Sequence, residues 1–420
     1  MKRIGMLTSL LLIFAWEANA DKAPRVLNGI DVLREQNFAP LAGKNIGLIT
    51  NHTGLAADGT TTIDLFFRST VCKLSALFSP EHGMRGTLDV AVGSSTDELT
   101  GLPIYSLYGE ARRPTPEMLK GIDALVFDIQ DVGARFYTYI TTMAYCMESA
   151  AKQGIPFYVL DRPNPIGGLK IEGPILDKDK HSFVGYTSLP IRHGMTVGEL
   201  AKFFNVQSKI GVQLQVIAMK GWKRSYYFWD TEQPWVNTSP NMRNMLGVLL
   251  YPGLCLLEDV VSVGRGTDRP FELVGAPWIE PRGFASALKA AQIPGVEFVP
   301  IYFTPGDSRY QGIRCGGVNV LITNSEKLNS VLVGLTLISV LQRLYPEKFE
   351  IGLVIGLLGN SEALKRLKAG KSPAEVLQAG RPEMQDFLYK RRKALIYDSA
   401  EGSRKRGNDG TGSSQKKEKR

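Results

Sequence analysis

The chain has 420 residues, of which 44% are apolar and 22% charged, a balance that suits a globular protein and excludes a disordered one. Its formal charge of +9 is concentrated at the ends: residues 401–420 hold seven basic and three acidic residues, and the first twenty residues add +1. The body between them is nearly balanced, at +4 over 21–400.

The first segment reads as a signal peptide over 1–20. Lys2 and Arg3 precede an apolar run from Ile4 to Trp16, and Ala18-Asn19-Ala20 has the small-x-small form of a cleavage site. The run is too short to span a bilayer of about 30 Å at about 1.5 Å per residue, and no later segment offers about twenty apolar residues in a row. A periplasmic or secreted protein without a transmembrane segment after cleavage is therefore expected.

From there, four continuous apolar runs read as strands: "KNIGLIT" (44–50), "VCKLSALF" (71–78), "GIDALVFDIQ" (121–130) and "IPFYVLD" (155–161). Between them, "TTIDLFFRS" has helical spacing, as does the long stretch "VGARFYTYITTMAYCMESAAKQG". "TVGELAKFFN" (196–205) opens on a capping box, Thr196 with Glu199 three residues on, and "VQLQVIAM" (212–219) is a further strand. Strands apolar throughout, alternating with helices, indicate an α/β fold with a mainly parallel sheet covered on both faces. The Rossmann-like domain is expected over 21–280. A smaller α/β domain follows over 281–398, containing "GGVNVLIT" (316–323) and "LNSVLVGLTLISVLQRLYP" (328–346), and a basic, disordered tail occupies 399–420.

In open α/β sheets ligands bind outside the carboxyl ends of the strands, so the residues just after each strand are the candidate site. They are Asn51-His52, Glu81-His82-Gly83-Met84-Arg85, the stretch from Asp128 to Arg135, and Asp161-Arg162-Pro163-Asn164-Pro165. No G-x-G-x-x-G follows a strand, and "VGRGTDRP" (263–270) lacks the third glycine, so no nucleotide cofactor is expected. Walker A, H-E-x-x-H and G-x-S-x-G motifs are absent as well. Cys72, Cys146, Cys255 and Cys315 are widely spaced, which suits buried thiols as well as one or two disulfides and argues against a metal site.

What survives is a carboxylate-rich site: Glu81, Asp128, Asp131, Asp161, Glu258 and Asp259, accompanied by Arg85, Arg135, Arg162, His82 and His193. Paired carboxylates suit glycoside hydrolysis, one protonating the leaving oxygen and the other attacking or positioning water. Aromatic residues in "RFYTYI" and "WKRSYYFWDTEQPW" are equally suited to stacking on sugars and to core packing. A structural reading stands beside the chemical one for Asp128, as the partner of an arginine, for the 161–165 stretch, as a rigid turn, and for His193, as a loop histidine.

The stretches "GLITNHTG", "LFSPEHGMRG", "DALVFDIQDVGARFYTYITTM", "VLDRPNPIGG", "LPIRHGMTVGEL", "WVNTSPNM" and "EDVVSVGRGTDRPFELVGAPW" together resemble the NamZ-type exo-β-N-acetylmuramidases, from about residue 25 to about 397. The resemblance implies release of terminal N-acetylmuramic acid (MurNAc) from the non-reducing end of peptidoglycan fragments such as MurNAc-GlcNAc. It also implies a cleft between a Rossmann-like domain without a nucleotide and a smaller C-terminal one; with metal-type Cys/His spacing absent, no cofactor is expected. Glu81, in the S-P-E-H-G motif, matches the suspected catalytic residue of the family. Asp131 is placed with it as a catalytic carboxylate, and Asn51, His52, His82, Arg85, Arg135, Asp161, Asn164, His193 and Arg265 as substrate-binding residues. Two other functions fit the same features: a non-catalytic wall-binding protein, and an esterase or amidase acting on wall substituents. Nothing in the sequence speaks to an oligomeric state.

Overall fold

The computed structural model describes residues 26–85, 94–109 and 111–397, so the expected leader and tail lie outside the described residues. Helix α1 (Gly29–Glu35) leads into strand β1 (Asn45–Thr50), helix α2 (Thr62–Phe67) and strand β2 (Lys73–Ser79). Two short strands follow, β3 (Ser95–Thr96) and β4 (Pro103–Ser106), and then β5 (Ala124–Asp128), helix α3 (Tyr139–Gln153) and β6 (Phe157–Leu160). An antiparallel pair, β7 (Glu172–Ile175) and β8 (Pro190–Arg192), precedes helix α4 (Val197–Gln207) and β9 (Leu214–Ile217).

The large sheet has the order β3-β4-β2-β1-β5-β6-β9, parallel except for the β3 edge. From β1 the chain winds outward through β2 and β4, then returns to the other side of β1 and continues through β5, β6 and β9. The direction reverses between β1 and β5, and the crevice at their carboxyl ends is where such sheets bind ligands. Both faces are covered. Leu48, Leu77 and Val126 pack with Ile30 and Phe66 on one side, while Ile49, Phe78 and Phe127 pack with Met143 and Leu200 on the other. Each such side chain, fully buried, contributes about 1.5–3 kcal/mol, which is why strands at the centre of this sheet tolerate no polar alternation. The capping box expected at α4 is present, Thr196 and Glu199 each bonding the other's backbone N–H.

A second unit follows: helix α5 (Met245–Leu254), strand β10 (Leu273–Ala276), helix α6 (Pro281–Lys289), strands β11 (Val296–Phe303) and β12 (Cys315–Ile322), and helix α7 (Ser330–Leu344). Its antiparallel sheet has the order β10-β12-β11, and α5 packs on α7. The division expected at residue 280 falls between β10 and α6, inside the unit built on this sheet. Among the described residues four more helices follow, α8 (Ile355–Leu358), α9 (Ser361–Lys368), α10 (Pro373–Ala379) and α11 (Arg381–Arg392). One apolar core runs through both units, joining Phe127 and Met143 to Val274, Val318 and Leu337. All four cysteines are buried and free, and no helix among the described residues is long and apolar enough to cross a membrane.

Candidate active site

The residue after β2 and Pro80 is Glu81, half-buried, and the Thr138 hydroxyl donates to its Oε2 at 2.5 Å. Thr138 is the N-cap residue of α3, but its side chain makes no cap bond, so it is committed to the carboxylate instead. The long helical pattern expected from Val132 onward therefore begins only at Tyr139. Residues 131–138 form a loop, because Gly133 sits at φ +85° and donates its N–H to Asp131 Oδ2 at 2.7 Å. Glu81, His82 and Thr138 line one wall of a cavity of about 140 Å³. Phe136 and Tyr137, Ser239 and Asn241, and Tyr251, Glu258, Arg265 and Phe271 are among the residues that line the remainder.

The strand-end residues divide into those that reach this cavity and those that do not. His82 lines it in a left-handed conformation, φ +70°, which costs a non-glycine residue of order 1 kcal/mol and turns the chain sharply after Glu81. His52 stands next to it: its Nε2 meets the Asn237 carbonyl at 2.5 Å, and burial, more than the nearby His82, pulls its pKa down. Asn51 is buried, its Oδ1 accepting from the Thr53 N–H and hydroxyl, while its Nδ2 has no hydrogen-bond partner among the described residues. Asp131 lies behind the tyrosines. Burial pushes its carboxyl up to about 7, and the raised hydroxyl of Tyr139, itself held up mainly by burial, feels both Glu81 and Asp131. Arg85 is exposed and does not line the cavity.

Four expected binding residues are interior instead. The Arg135 guanidinium bonds the carbonyls of Pro174, Leu189, Leu357 and Leu358, clamping the two units together, and burial drags its pKa down to about 9. Asp161 accepts from Thr196 Oγ1, the Gly198 N–H and the Tyr397 hydroxyl, so it anchors α4 and the segment after α11. Asn164 bonds the Met195 carbonyl and the Ile166 N–H within its own turn. His193 is fully buried, with Nδ1 accepting from the Met195 N–H, and burial pulls its pKa down to about 3. Each belongs to a polar segment after a strand, but its side chain turns into the protein. Asp128 behaves likewise, held by Arg162 at 2.6 and 2.9 Å and by Thr62.

Arg265 does face the cavity. Gly264 and Gly266, at φ +79° and +73°, make the turn that presents it, and an added Cβ at Gly266 would lie 2.4 Å from the Asp307 backbone. Thus "VGRG" is a turn that aims an arginine, not a phosphate loop. Its Nη1 lies 3.4 Å from Glu258 Oε2, and burial pushes the Glu258 carboxyl up while Arg265 pulls it back. Glu258, named in the sequence among the carboxylates but given no role, and Thr138, Ser239, Asn241, Tyr251 and Phe271 are lining residues that sequence reasoning left out of the binding set. Glu258 follows an unbroken apolar helix, and only its place in "EDVVSVGRG" signals it. The aromatics also sort: Phe136 and Tyr137 line the cavity, whereas Trp222 packs on Tyr397 and Phe228 on Trp235.

A Rossmann-ordered sheet that carries, beyond the carboxyl ends of β2 and β5, a cleft walled by carboxylates and tyrosines and closed by a second unit defines an α/β protein equipped for acid–base chemistry on a small polar ligand. Residues 46–246 match the N-terminal model, and residues 249–397 the C-terminal model, of exo-β-N-acetylmuramidase NamZ. The chain belongs to this family. It is 47% identical over 382 residues to the peptidoglycan β-N-acetylmuramidase NamZ of Bacillus subtilis (strain 168), covering 90% of this chain and 92% of that protein. Crystal structures of two DUF1343 family proteins from Bacteroides fragilis NCTC 9343 share the fold, each match covering 89% of this chain and 99% of the other. One has a TM-score of 0.83 at 37% identity, the other 0.72 at 30%.

Proposed function

We propose that this protein is an exo-acting β-N-acetylmuramidase that releases MurNAc from the non-reducing end of peptidoglycan fragments such as MurNAc-GlcNAc, with Glu81 as its general acid/base. The observation that carries the reading is the placement of Glu81: a rigid strand end holds it in the cleft, and Thr138 fixes the orientation of its carboxylate. Membership of the NamZ family supports the substrate class. Arg265 supports it too, since MurNAc differs from GlcNAc by a lactyl carboxylate that a guanidinium binds through charge-assisted hydrogen bonds. His82 adds a polar group to the cavity wall beside Glu81, with Asn51 and His52 at the neighbouring strand end, and Asp131 lies behind Tyr137 and Tyr139 as a supporting group. Export through the expected leader, to the periplasm or beyond, brings such an enzyme to its substrate.

The purified protein should release MurNAc from MurNAc-GlcNAc, detected by mass. Glu81→Gln should keep the native circular dichroism spectrum and lose about 10²- to 10⁴-fold in kcat. Undiminished turnover in that variant removes Glu81 from the mechanism. Sedimentation with wall material but no sugar release identifies a wall-binding protein, and loss of a substituent without a monosaccharide identifies an esterase or amidase.

A further inference from the structure

The cavity holds two carboxylates, and they come from different units. Among the described residues its lining includes Glu81, from the end of β2, and Glu258, from the turn after α5, and no other acidic side chain. Of the other carboxylates near the strand ends, Asp128 is committed to Arg162 and Thr62, Asp161 to Thr196, Gly198 and Tyr397, Glu172 to Arg192, and Glu199 to Arg224, while Asp131, bonded by the Gly133 N–H, is buried and does not line the cavity. These pairs show what a structural ion pair is like in this protein. In Asp128–Arg162, Glu172–Arg192 and Glu199–Arg224 no side chain is more than 5% exposed. Glu258 and Arg265 are 28% and 25% exposed, open to the cavity, and 3.4 Å apart. An ion pair left within reach of water is screened and adds little to stability, so folding alone does not account for its place in the cleft wall.

We propose that Glu258 is the second catalytic carboxylate, working across the cleft from Glu81 on the α face of the β-linked terminal sugar. The inference rests on the muramidase reading above. Cleaving a β-glycoside requires a proton for the leaving oxygen and a negative group on the opposite face of the anomeric carbon. Glu81 gives its proton to O4 of the departing GlcNAc, and the electron pair of the C1–O4 bond leaves with that oxygen. On the other face the new C1–O bond is made by a Glu258 oxygen, or by a water whose proton Glu258 takes. Arg265, beside Glu258, works against the burial that raises its carboxyl and so supports the ionised form that either course needs, and the Gly264-Arg265-Gly266 turn holds it there. A closing second unit then supplies half of the chemistry as well as covering the sugar.

The test compares wild type, Glu258→Gln and Glu258→Ala on MurNAc-GlcNAc and on 4-nitrophenyl β-MurNAc, whose leaving group departs without a proton. Glu258→Gln should lose about 10³-fold in kcat on both substrates with little change in KM, whereas Glu81→Gln should lose far more on the disaccharide than on the aryl glycoside. Added azide should restore turnover to Glu258→Ala and yield the α-configured glycosyl azide, its nitrogen bonding C1 as 4-nitrophenolate leaves. Glu258→Asp, which keeps the charge beside Arg265 but withdraws it by one methylene, should fold and still lose about 10²-fold in kcat. A Glu258→Gln variant with kcat within about threefold of wild type and only KM raised makes Glu258 a holder of Arg265 and overturns the proposal. Full kcat in Glu258→Asp overturns it too, even where the other two variants unfold. A wild type inert on both substrates sinks the muramidase reading itself; an active wild type with an active Glu258→Gln sinks only this inference.

Discussion

Asp131 and His193 are buried ionisable groups whose protons pull the stability of the protein in opposite directions. Burial pushes the Asp131 carboxyl from 3.8 up to about 7. Across that window the unfolded chain has lost the proton and the folded protein has kept it, so stability falls as pH rises, and above it the loss is complete. The amide of Asp131→Asn does not ionise, so its stability relative to wild type should improve by up to about 4 kcal/mol between pH 4 and pH 7.5. His193 is the reverse case, its pKa pulled from 6.5 down to about 3. Its contribution is fully present above 6.5 and is lost as pH falls toward 3, because the unfolded chain takes up the proton first. His193→Asn should therefore blunt acid destabilisation. Urea unfolding at several pH values measures both, and a pH-independent gap between Asp131→Asn and wild type would show that Asp131 is not buried with its proton.

The two ends of α3 carry different duties, and its glycines expose them. Gly154 closes the helix at φ +67° with nothing within 4 Å of an added Cβ, so Gly154→Ala should cost about 1 kcal/mol of stability and leave turnover unchanged. Gly133, ahead of the helix, is also left-handed, but there a Cβ would lie 2.4 Å from Asn164 Oδ1. Gly133→Ala should cost about 1–3 kcal/mol and, by shifting the loop that ends in Thr138, lower kcat as well; thermal melts and steady-state rates separate the two variants. That loop also marks where the sequence is hard to read. Val132 to Tyr137 continues the apolar spacing of α3, and only a positive φ at Gly133 and a side-chain bond from Asp131 break the helix, neither of which periodicity registers. The central strands β1, β5 and β6 were legible because burial on both faces leaves them largely apolar, and β2 because its second half is. β3, with two residues, is too short to show a period. At the strand ends the position of the polar residues was legible, but their direction was not. Asp161 and Glu81 both follow a strand, yet one turns toward the N-terminus of α4 and the other into the cleft. That difference depends on which element packs overhead, a tertiary fact that a local pattern does not contain.

At the scale of the whole molecule, the last described residues are built into the large sheet. The Tyr397 hydroxyl donates to Asp161 at 2.6 Å and accepts from the Met219 N–H at 2.8 Å, joining the last described residue to the ends of β6 and β9. Arg391 bonds the carbonyls of Gly168 and Gly194, and Arg135 reaches back to those of Leu357 and Leu358. With one apolar core crossing both units as well, neither sheet can lose its partner without exposing buried carbonyls and carboxylates. The two units should therefore unfold together, although the family models divide the chain near residue 248. Far-ultraviolet circular dichroism and tryptophan fluorescence should give one coincident urea transition. Tyr397→Phe leaves Asp161 and the Met219 N–H each short of a buried partner, so the midpoint should fall by the equivalent of about 2–4 kcal/mol with the slope unchanged. Two separated transitions in wild type would mean that the cleft lies between independent domains. A single transition that Tyr397→Phe moves without splitting means that the carboxylates facing each other across the cleft are held in register by the fold as a whole.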